Sequence, residues 1–413
     1  MFDVIVIGAG PAGCICAITA ARKGSKVLVL EKNDKPLKKL LATGNGKCNF
    51  TNEYMEKECF RGDSKLLSEI LSQFKKEDTL VFFHEIGIYP KNKNGYYYPS
   101  SEQASSVAHA LLAEMEHLGV SVACSAAVEK IDKRKQFFDI YTRENKYSGK
   151  CVVVACGLKA SPKLGSDGSM FGILKEFGHR FVPIVPALCG FYCKGADFKI
   201  LAGVRAGATV SVYVEDEPVV TDTGELQLTE YGISGIPVFQ VSRFISYALY
   251  EKKKVKVKLT FLPELTDEEL RSELMRRIKR AGDYGRSEHK IEELLNGLLP
   301  QKLSWEIENM ILAKNAVLKL SDDQLEGFLF DAIRNRMILV EKARDFEFAQ
   351  ICAGGIKTED IDIHTLESKL VPGLSFAGEV LDIDGICGGY NLQWAWSSGV
   401  VAGNHAVMIE KEK

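Results

Sequence analysis

The 413-residue sequence contains no C-x-x-C at any position. That removes the dithiol of a flavin disulfide reductase and the ligand spacing of a zinc ribbon. Its seven histidines include no H-x-x-x-H or similar pair, so no metal site is expected. No apolar run reaches the roughly 18 residues that would nominate a membrane span. No charged stretch precedes an apolar one at the start, so no signal peptide is expected either. The chain also lacks a charge excess: at a net charge of −2 it has no global pull toward nucleic acid or an anionic membrane. What is present is ordinary globular composition, 46% hydrophobic and 26% charged, in a length that argues for two or three domains. Eleven cysteines without a secretory signal are expected to be free thiols in the cytoplasm. Cys14 and Cys16, and Cys189 and Cys193, read as small buried apolar side chains.

The first thirty-odd residues carry the strongest local signal. Phe2–Ile7 is a β-branched apolar run suited to a buried parallel strand. Gly8, Gly10 and Gly13 follow as G-x-G-x-x-G: the first permits a tight turn, the second lets backbone approach a pyrophosphate, and the third lets a helix pack closely. Ala12–Lys23 reads as that helix, its N-terminus offering N–H groups and a positive dipole end to an anion. A second strand, Val27–Leu30, ends at Glu31, whose carboxylate suits a ribose diol and would repel a 2′-phosphate. FAD or NAD, rather than NADP, is the ligand this site calls for.

Beyond it, Leu40–Asn52 (LLATGNGKCNFTN) is expected as an irregular loop. Its lysines, Lys38, Lys39 and Lys47, suit either a phosphate contact or a solvated basic loop. Ser64–Phe83 has helical spacing, Tyr89–Pro99 reads as an aromatic loop, and Glu102–Leu118 as a second helix. Tyr96, Tyr97 and Tyr98 either line a flat pocket or serve packing. Short strands are expected at Val120–Val128, Phe137–Thr142 and Lys150–Ala155. The last runs into Gly157 like the opening strand, without the second and third glycines of a nucleotide turn. Gly165–Gly168 introduces one more helix, to about Phe177. From Pro183 the pattern changes to alternating strands such as Ala208–Val214, Glu225–Leu228 and Lys254–Thr260, the sign of a small sheet or barrel. Thr229–Arg243 is expected as a glycine-broken loop leading into a helix. Thr266–Leu329 reads as helical, with Thr266 and Glu269 forming a capping box, and its basic cluster Arg276, Arg277, Lys279 and Arg280 as a solvated face. Finally Leu374–Ala377 is an apolar strand entering Gly378–Glu379, and Gly388–Asn391 opens a helix from Leu392 to Ile409. This is a second anion-binding end, far in sequence from the first.

Four motifs together, GAGPAG, KKLLATGNGKCN, GISGIP and the long run Ser368–Gly403, make the chain resemble the YhiN/BaiN-like flavoproteins, which include aminoacetone oxidases. The resemblance implies an α/β fold: a doubly wound FAD-binding domain of two-dinucleotide type in two pieces, 1–186 and 345–413. An inserted β-barrel, 187–263 with 328–344, and a helical subdomain, 264–327, would lie between them. It implies non-covalent FAD, with Gly8, Gly10 and Gly13 at the pyrophosphate, and Glu31 at the ribose with Lys32 nearby. Lys39 and Thr43, Gly44, Asn45, Gly46, Cys48 and Asn49 would run along the flavin, and Val128, Ala155 and Gly157 would lie at the adenine half. Gly378, Glu379 and Asp382 would face the ribityl chain. Gly389, Tyr390, Asn391 and Leu392 would present backbone N–H groups to the flavin pyrimidine, where a helix N-terminus stabilises negative charge. Some relatives carry an arginine where this chain has Lys47, and lysine cannot reproduce its bidentate fork.

The activity implied is hydride exchange through flavin N5 with a small molecule at the seam between the nucleotide domain and the insert. The favoured substrate is a flat hydrophobic enone of the 3-oxo steroid or bile-acid type. The alternatives are uridine reduction in ribosomal RNA, aminoketone oxidation and a non-enzymatic flavin sensor. NAD(P)H would act as a transient reductant, since no second glycine fingerprint exists. Tyr231 and Tyr98 are the candidate proton or hydrogen-bond donors.

Overall fold

A computed structural model of the chain describes residues 1–283, 291–313 and 320–411. The chain forms two compact units, one made of Met1–Val185 with Gln350–Lys413, the other of Pro186–Ala349. Among the described residues no helix is long and apolar enough to cross a membrane.

The first unit is built on a seven-stranded sheet. Phe2–Ile7 (β1) lies at its centre because Val4, Ile5, Val6 and Ile7 are buried, as a parallel strand covered on both faces requires. Val27–Leu30 (β2) pairs on one side of β1 and Lys146–Val154 on the other, both parallel. That nine-residue strand joins the parallel and antiparallel parts of the sheet: Lys146–Gly149 pairs antiparallel with Phe138–Tyr141, while Gly149–Val154 pairs parallel with β1. Leu374–Phe376 adds to its far end in parallel, so the chain returns to the opening sheet after more than two hundred residues.

Several elements differ from the sequence expectation for identifiable reasons. Val120–Val128 is not one strand. Ser121–Ala123 joins the parallel sheet beside β2, and Val128–Lys133 starts the antiparallel meander. Between them Ser125 takes a left-handed turn (φ +53), and Ser125 and Ala126 donate N–H bonds to Asn33 and Glu31 carbonyls at 2.8 Å. Ser64–Phe83 is two helices, Ser64–Gln73 and Lys76–Glu85, because Phe74 is extended and the Lys75 N–H starts afresh on the Asp78 carboxylate at 2.8 Å. The aromatic stretch is not a loop but a hairpin, Pro90–Lys93 with Tyr96–Pro99. Its turn is Asn94-Gly95, both at positive φ, the dipeptide that two-residue hairpins favour. Thr51–Asn52 pairs with its inner edge.

The first helix, Pro11–Arg22 (α1), and the last, Tyr390–Lys411, pack against each other through glycine. A Cβ on Gly399 would lie 2.5 Å from the Ala12 carbonyl oxygen and 2.4 Å from Ile15 Cγ2, and one on Gly403 would lie 2.7 Å from the Cys16 carbonyl oxygen. Contact advances by four residues on each helix, so the two run parallel. Gly399 faces Ala12, yet the last helix begins at Tyr390, so its N-terminus projects beyond that of α1 by about 12 Å at 1.5 Å per residue. Trp394 and Trp396 fill the space beneath, each with its indole N–H satisfied, by the Gly378 carbonyl at 3.0 Å and the Phe50 carbonyl at 2.9 Å.

In the second unit six strands close a barrel, in the order Phe191–Lys194, Gly232–Gly235, Glu217–Thr229, Arg205–Val214, Val255–Phe261 and Arg336–Ala343. Ala208, Val210 and Val212, with Val255, Val257, Leu259 and Phe261, alternate inward as a period of two demands. Gly232–Gly235, expected as a loop, is therefore a barrel strand. Gly232 and Gly235 hold positive φ in positions where a Cβ would strike neighbouring backbone. The helix Ile236–Tyr250 follows directly. Asp267–Asp283, Ile291–Leu295, Gln301–Ala313 and Asp322–Arg334 are helical, and 284–290 and 314–319 lie outside the described residues. The Thr266–Glu269 capping box is formed in both directions, and Glu273 pairs with Arg276 and Arg277 on the basic helix.

Gly399→Ala tests the helix contact. Helix propensity alone would favour alanine by about 1 kcal/mol, whereas the clash is with backbone and cannot be relieved by a rotamer. A net loss of roughly 1–3 kcal/mol is expected in urea unfolding; a variant as stable as the parent would show that the helices are free to separate.

Candidate functional site

The glycine turn is locked from several sides. Gly8 has φ +103, and a Cβ there would lie 2.6 Å from the Ala155 carbonyl oxygen. A Cβ on Gly13 would sit 1.9 Å from the Gly8 carbonyl oxygen, so the first turn of α1 rests directly on β1. Gly10 is different: nothing lies within 4 Å of its Cβ position. No side chain caps α1, and Pro11 takes the position where an N–H is missing anyway. No side-chain cap thus competes for the first N–H groups of α1.

Glu31 is buried at the tip of β2, and its carboxylate has work inside the fold. Oε2 accepts the Ala9 N–H at 2.9 Å and Oε1 the Asn33 N–H at 2.8 Å. Each oxygen retains a second lone pair for a ligand hydroxyl. Lys32 beside it pairs with Asp167. Val128 follows the segment whose Ala126 N–H bonds the Glu31 carbonyl. Ala155 donates its N–H to the Ile7 carbonyl at 2.8 Å.

Gly157 (φ +68), Lys39 and Glu379 converge on one point although 340 residues separate the last two. Lys39 Nζ is 2.7 Å from Glu379 Oε2, the Cys352 N–H is 2.7 Å from Oε1, and a Cβ on Gly157 would lie 3.6 Å from the same carboxylate. This half-buried pair keeps both carboxylate oxygens satisfied, which a partly desolvated ion pair requires. Asp382 lies two residues beyond the short turn that carries Glu379.

The loop expected along the flavin begins later than the sequence reading gave it. Lys38–Ala42 is helical, and the irregular part is Thr43–Asn49, with positive φ at Gly44, Asn45, Gly46 and Cys48. Cys48 is fully buried, its thiol pushed up to about 12 by desolvation, and it anchors the loop from within. Gly44 and Gly46 are exposed, and nothing lies within 4 Å of a Cβ on Gly46. The Tyr98 ring and Asn49 close in on Gly44, at 3.6 Å and 3.0 Å from its Cβ position.

The N-terminus of the last helix meets this loop. Gly388 and Gly389 both have positive φ, and Cβ atoms there would lie 3.1 Å from Tyr96, 2.7 Å from the Thr51 carbonyl oxygen and 2.9 Å from Asn49 Oδ1. The Asn391 side chain is fully committed: its Oδ1 accepts the Gly385 N–H and its Nδ2 donates to the Gly385 carbonyl, each at 2.8 Å. Tyr390 is buried against Phe60. What the helix start offers a ligand is therefore the backbone of Tyr390, Asn391 and Leu392 rather than their side chains.

Two residues that the sequence reading passed over hold this arrangement. Gln393, fully buried, bonds Thr51 Oγ1 at 2.6 Å, Thr79 Oγ1 at 2.8 Å and Ser397 Oγ at 3.0 Å. Asn52 donates from Nδ2 to the Gly388 carbonyl at 2.8 Å. A glutamine facing the core of an apolar helix was the available signal.

Tyr231 stands on the other unit, in the two-residue turn between Glu217–Thr229 and Gly232–Gly235. Its ring packs on Tyr192 at 5.3 Å, and the Arg344 guanidinium lies 4.5 Å from it and 3.5 Å from Phe348.

The profile of one family, described as HI0933-like protein Rossmann domain, matches residues 2–405. The chain belongs to the HI0933-like family. It is an oxidoreductase with a Rossmann-type FAD-binding fold. Over 406 residues it is 39% identical to the 3-dehydro-bile acid delta(4,6)-reductase of Clostridium scindens, covering 97% of this chain and 98% of that protein. The ribosomal RNA dihydrouridine synthase of Escherichia coli is 27% identical over 404 residues, 96% of each. Among solved structures, the 3-ketosteroid delta1-dehydrogenase of Sterolibacterium denitrificans superposes over the full length of both chains with a TM-score of 0.51 at 13% identity, a likeness of fold.

The residues of this HI0933-like chain fit FAD. Asn49 Oδ1 is buried without a hydrogen-bond partner among the described residues, a cost that a ligand donor removes. Gly10 and Gly46 leave room that a side chain would fill, and two helix N-termini without side-chain competition supply N–H donors. Burial pushes the Cys156 and Cys352 thiols up to about 12. Heat or acid denaturation is therefore expected to release intact FAD into the supernatant; flavin retained on the polypeptide would contradict it. Glu31→Gln keeps the shape but turns one acceptor into a donor facing backbone N–H. FAD affinity should fall by roughly ten- to a hundred-fold, the value of one charged hydrogen bond; fluorescence titration of the apoprotein measures it.

Proposed function

We propose that this protein reduces a carbon–carbon double bond conjugated to a ketone in a flat hydrophobic molecule of the 3-oxo steroid or bile-acid type. One observation carries the reading: the full-length 39% identity to a bile-acid delta(4,6)-reductase, against 27–28% to ribosomal RNA dihydrouridine synthases. The two kinds of relative share bond chemistry, since uridine reduction also adds two hydrogens to a double bond conjugated with a carbonyl. Uridine in ribosomal RNA is therefore the second reading, and the chain's net charge of −2 favours the small molecule.

FAD, when bound, supplies the hydride through its N5. The chain must then do two things: hold the ketone oxygen as negative charge builds there, and deliver a proton to the carbon next to it. Tyr98 is one candidate for the first. Its ring borders Gly44 in the irregular loop, and burial holds its phenol above the usual value, so it stays a neutral O–H donor at physiological pH. Tyr231 is the second candidate, with the Arg344 guanidinium over its ring. Lys39 and Glu379 hold Gly157 and the turn after Phe376 in register, and the backbone at Tyr390–Leu392 presents its positive dipole end.

NAD(P)H acts as the electron donor and binds in passing, a reading supported by Val152–Gly157 lacking the glycines of a second nucleotide turn. The cytoplasm suits the eleven free cysteines.

The test is product analysis, in parallel, after anaerobic incubation of the reduced protein with a 3-oxo-4-ene steroid and with ribosomal RNA, and after incubation of the oxidised protein with an aminoketone in air. Saturation of the steroid double bond is expected. Dihydrouridine alone would favour the second reading, and oxidation of the aminoketone or no product would remove both. Tyr98→Phe and Tyr231→Phe are examined by rapid mixing. The variant that removes the donor should slow enone-dependent flavin oxidation by roughly a hundred-fold or more while leaving flavin reduction by NAD(P)H nearly unchanged. Equal slowing of both half-reactions, or of neither, would take that tyrosine out of the mechanism.

A further inference from the structure

The outer face of the barrel beside Tyr231 carries cations and rings that the proposed enone chemistry leaves without a role. Phe191 and Cys193 are buried inside the barrel, so Tyr192 between them points outward, and so does Lys342, its direct partner across the strands. Lys342 Nζ lies 4.5 Å from the centre of the Tyr192 ring, and the Tyr231 ring continues the row at 5.3 Å. That second ring lies against the strand because Gly190 has no side chain: a Cβ there would sit 3.1 Å from the Tyr231 hydroxyl oxygen and 3.3 Å from Cε2. The Gly190 carbonyl also accepts the Arg344 N–H at 3.0 Å, which brings Arg344 alongside. The Arg344 guanidinium is gripped between two rings, 3.5 Å from the centre of Phe348 and 4.5 Å from that of Tyr231. Phe348 itself is 50% exposed. The row therefore runs ammonium, ring, ring, guanidinium, ring.

Both charges in this row are unanswered. Among the described residues neither Lys342 nor Arg344 pairs with a carboxylate, and Arg344 Nε is buried with no hydrogen-bond partner. Glu341, on the same strand as Lys342, is taken by Lys194. A partly desolvated guanidinium without a counter-charge is costly to keep, and an anionic ligand removes that cost. We propose that this row binds the nicotinamide dinucleotide that reduces the flavin, with its pyrophosphate between Arg344 and Lys342 and a base on the open side of Phe348. The inference rests on the reading of NAD(P)H as electron donor and gives that donor a place away from the glycine turn. The charges match, one on each phosphate against one guanidinium and one ammonium. The two cations are two residues apart, roughly 7 Å at 3.3 Å per residue, a gap that two long side chains close. A guanidinium fork suits phosphate, and the rings on either side hold that fork in place. The hydride passes with its electron pair from the dihydronicotinamide to FAD and leaves oxidised nicotinamide, so no further reactant is needed. Reductant and enone exchange hydride with the same flavin nitrogen and bind in turn, so a Tyr231 hydroxyl used with one does not conflict with a ring face used with the other. An RNA strand fits less well, because it needs a track of cations and Lys194 is already neutralised.

Calorimetric titration of the oxidised, FAD-loaded protein with NAD+ measures binding without reaction, and anaerobic rapid mixing with NADH measures bleaching of the flavin. Lys342→Gln/Arg344→Gln should weaken NAD+ binding about tenfold and shift the NADH dependence of bleaching by the same factor, and added salt should weaken binding to the parent. The bleaching rate at saturating NADH should stay nearly unchanged. Glu341→Gln frees Lys194, two residues from Tyr192 on its strand, and should tighten NAD+ binding about two- to threefold, a gain that a damaged fold cannot produce. Equal affinity in parent and variants, with a flavin that NADH bleaches, overturns the inference and leaves the donor reading intact. NAD+ binding that depends on both cations, in a protein whose flavin NADH does not bleach, does the reverse: the dinucleotide site stands and the donor reading falls. Neither binding nor bleaching overturns both. A single-stranded RNA oligomer that binds through the same two cations more tightly than NAD+ assigns the row to nucleic acid and overturns the inference as well.

Discussion

The nucleotide-binding unit depends on how closely its first and last helices approach. Gly399 and Gly403 let the last helix lie against the backbone of α1 at Ala12 and Cys16, with no room for a methyl group. Because contact advances equally on both helices they run parallel, and their positive ends point the same way with an offset of about two turns. One end sits over the Gly8–Gly13 turn and the other over the Thr43–Asn49 loop. A long anionic cofactor would thus meet two separate helix starts, and their spacing is fixed by packing rather than by any side chain reaching for it.

Around that frame the site is made of backbone held in unfavourable conformations by buried polar groups. Gly44, Asn45, Gly46 and Cys48 all have positive φ, and the two non-glycine residues among them carry strain that must be offset elsewhere. The offset is visible. Trp396 bonds the Phe50 carbonyl, Gln393 bonds Thr51, Asn52 bonds Gly388, and Cys48 and Phe50 are fully buried. A loop with its middle exposed and both ends fastened is a rigid wall, which suits a reaction needing a fixed distance between ligand atoms.

The functional reading separates into parts of different origin. FAD chemistry follows from family membership and from room left at Gly10 and Gly46. The choice of an enone follows from likeness to a bile-acid reductase.

The amino-acid sequence by itself determined the local pieces of this protein. Backbone positions that only glycine can occupy, at Gly8, Gly13 and Gly388–Gly389, are written directly as residue type. So is the strand–turn–helix order with Glu31 at the tip of β2, and so was the Asn94-Gly95 turn, legible although the tyrosines around it suggested a loop. Misread were those elements whose ends are set by distant partners. The strand Ser121–Ala123 is cut short by bonds to Asn33 and Glu31, and Gly232–Gly235 becomes a strand only because barrel neighbours complete its hydrogen bonds. Only the tertiary structure decided which charges meet. Lys39 finds Glu379 across 340 residues, Gln393 finds Thr51 across 342, and Lys47 finds Glu102. Periodicity reports which face of an element is buried but carries no information about what lies opposite, and those pairings are what hold the site.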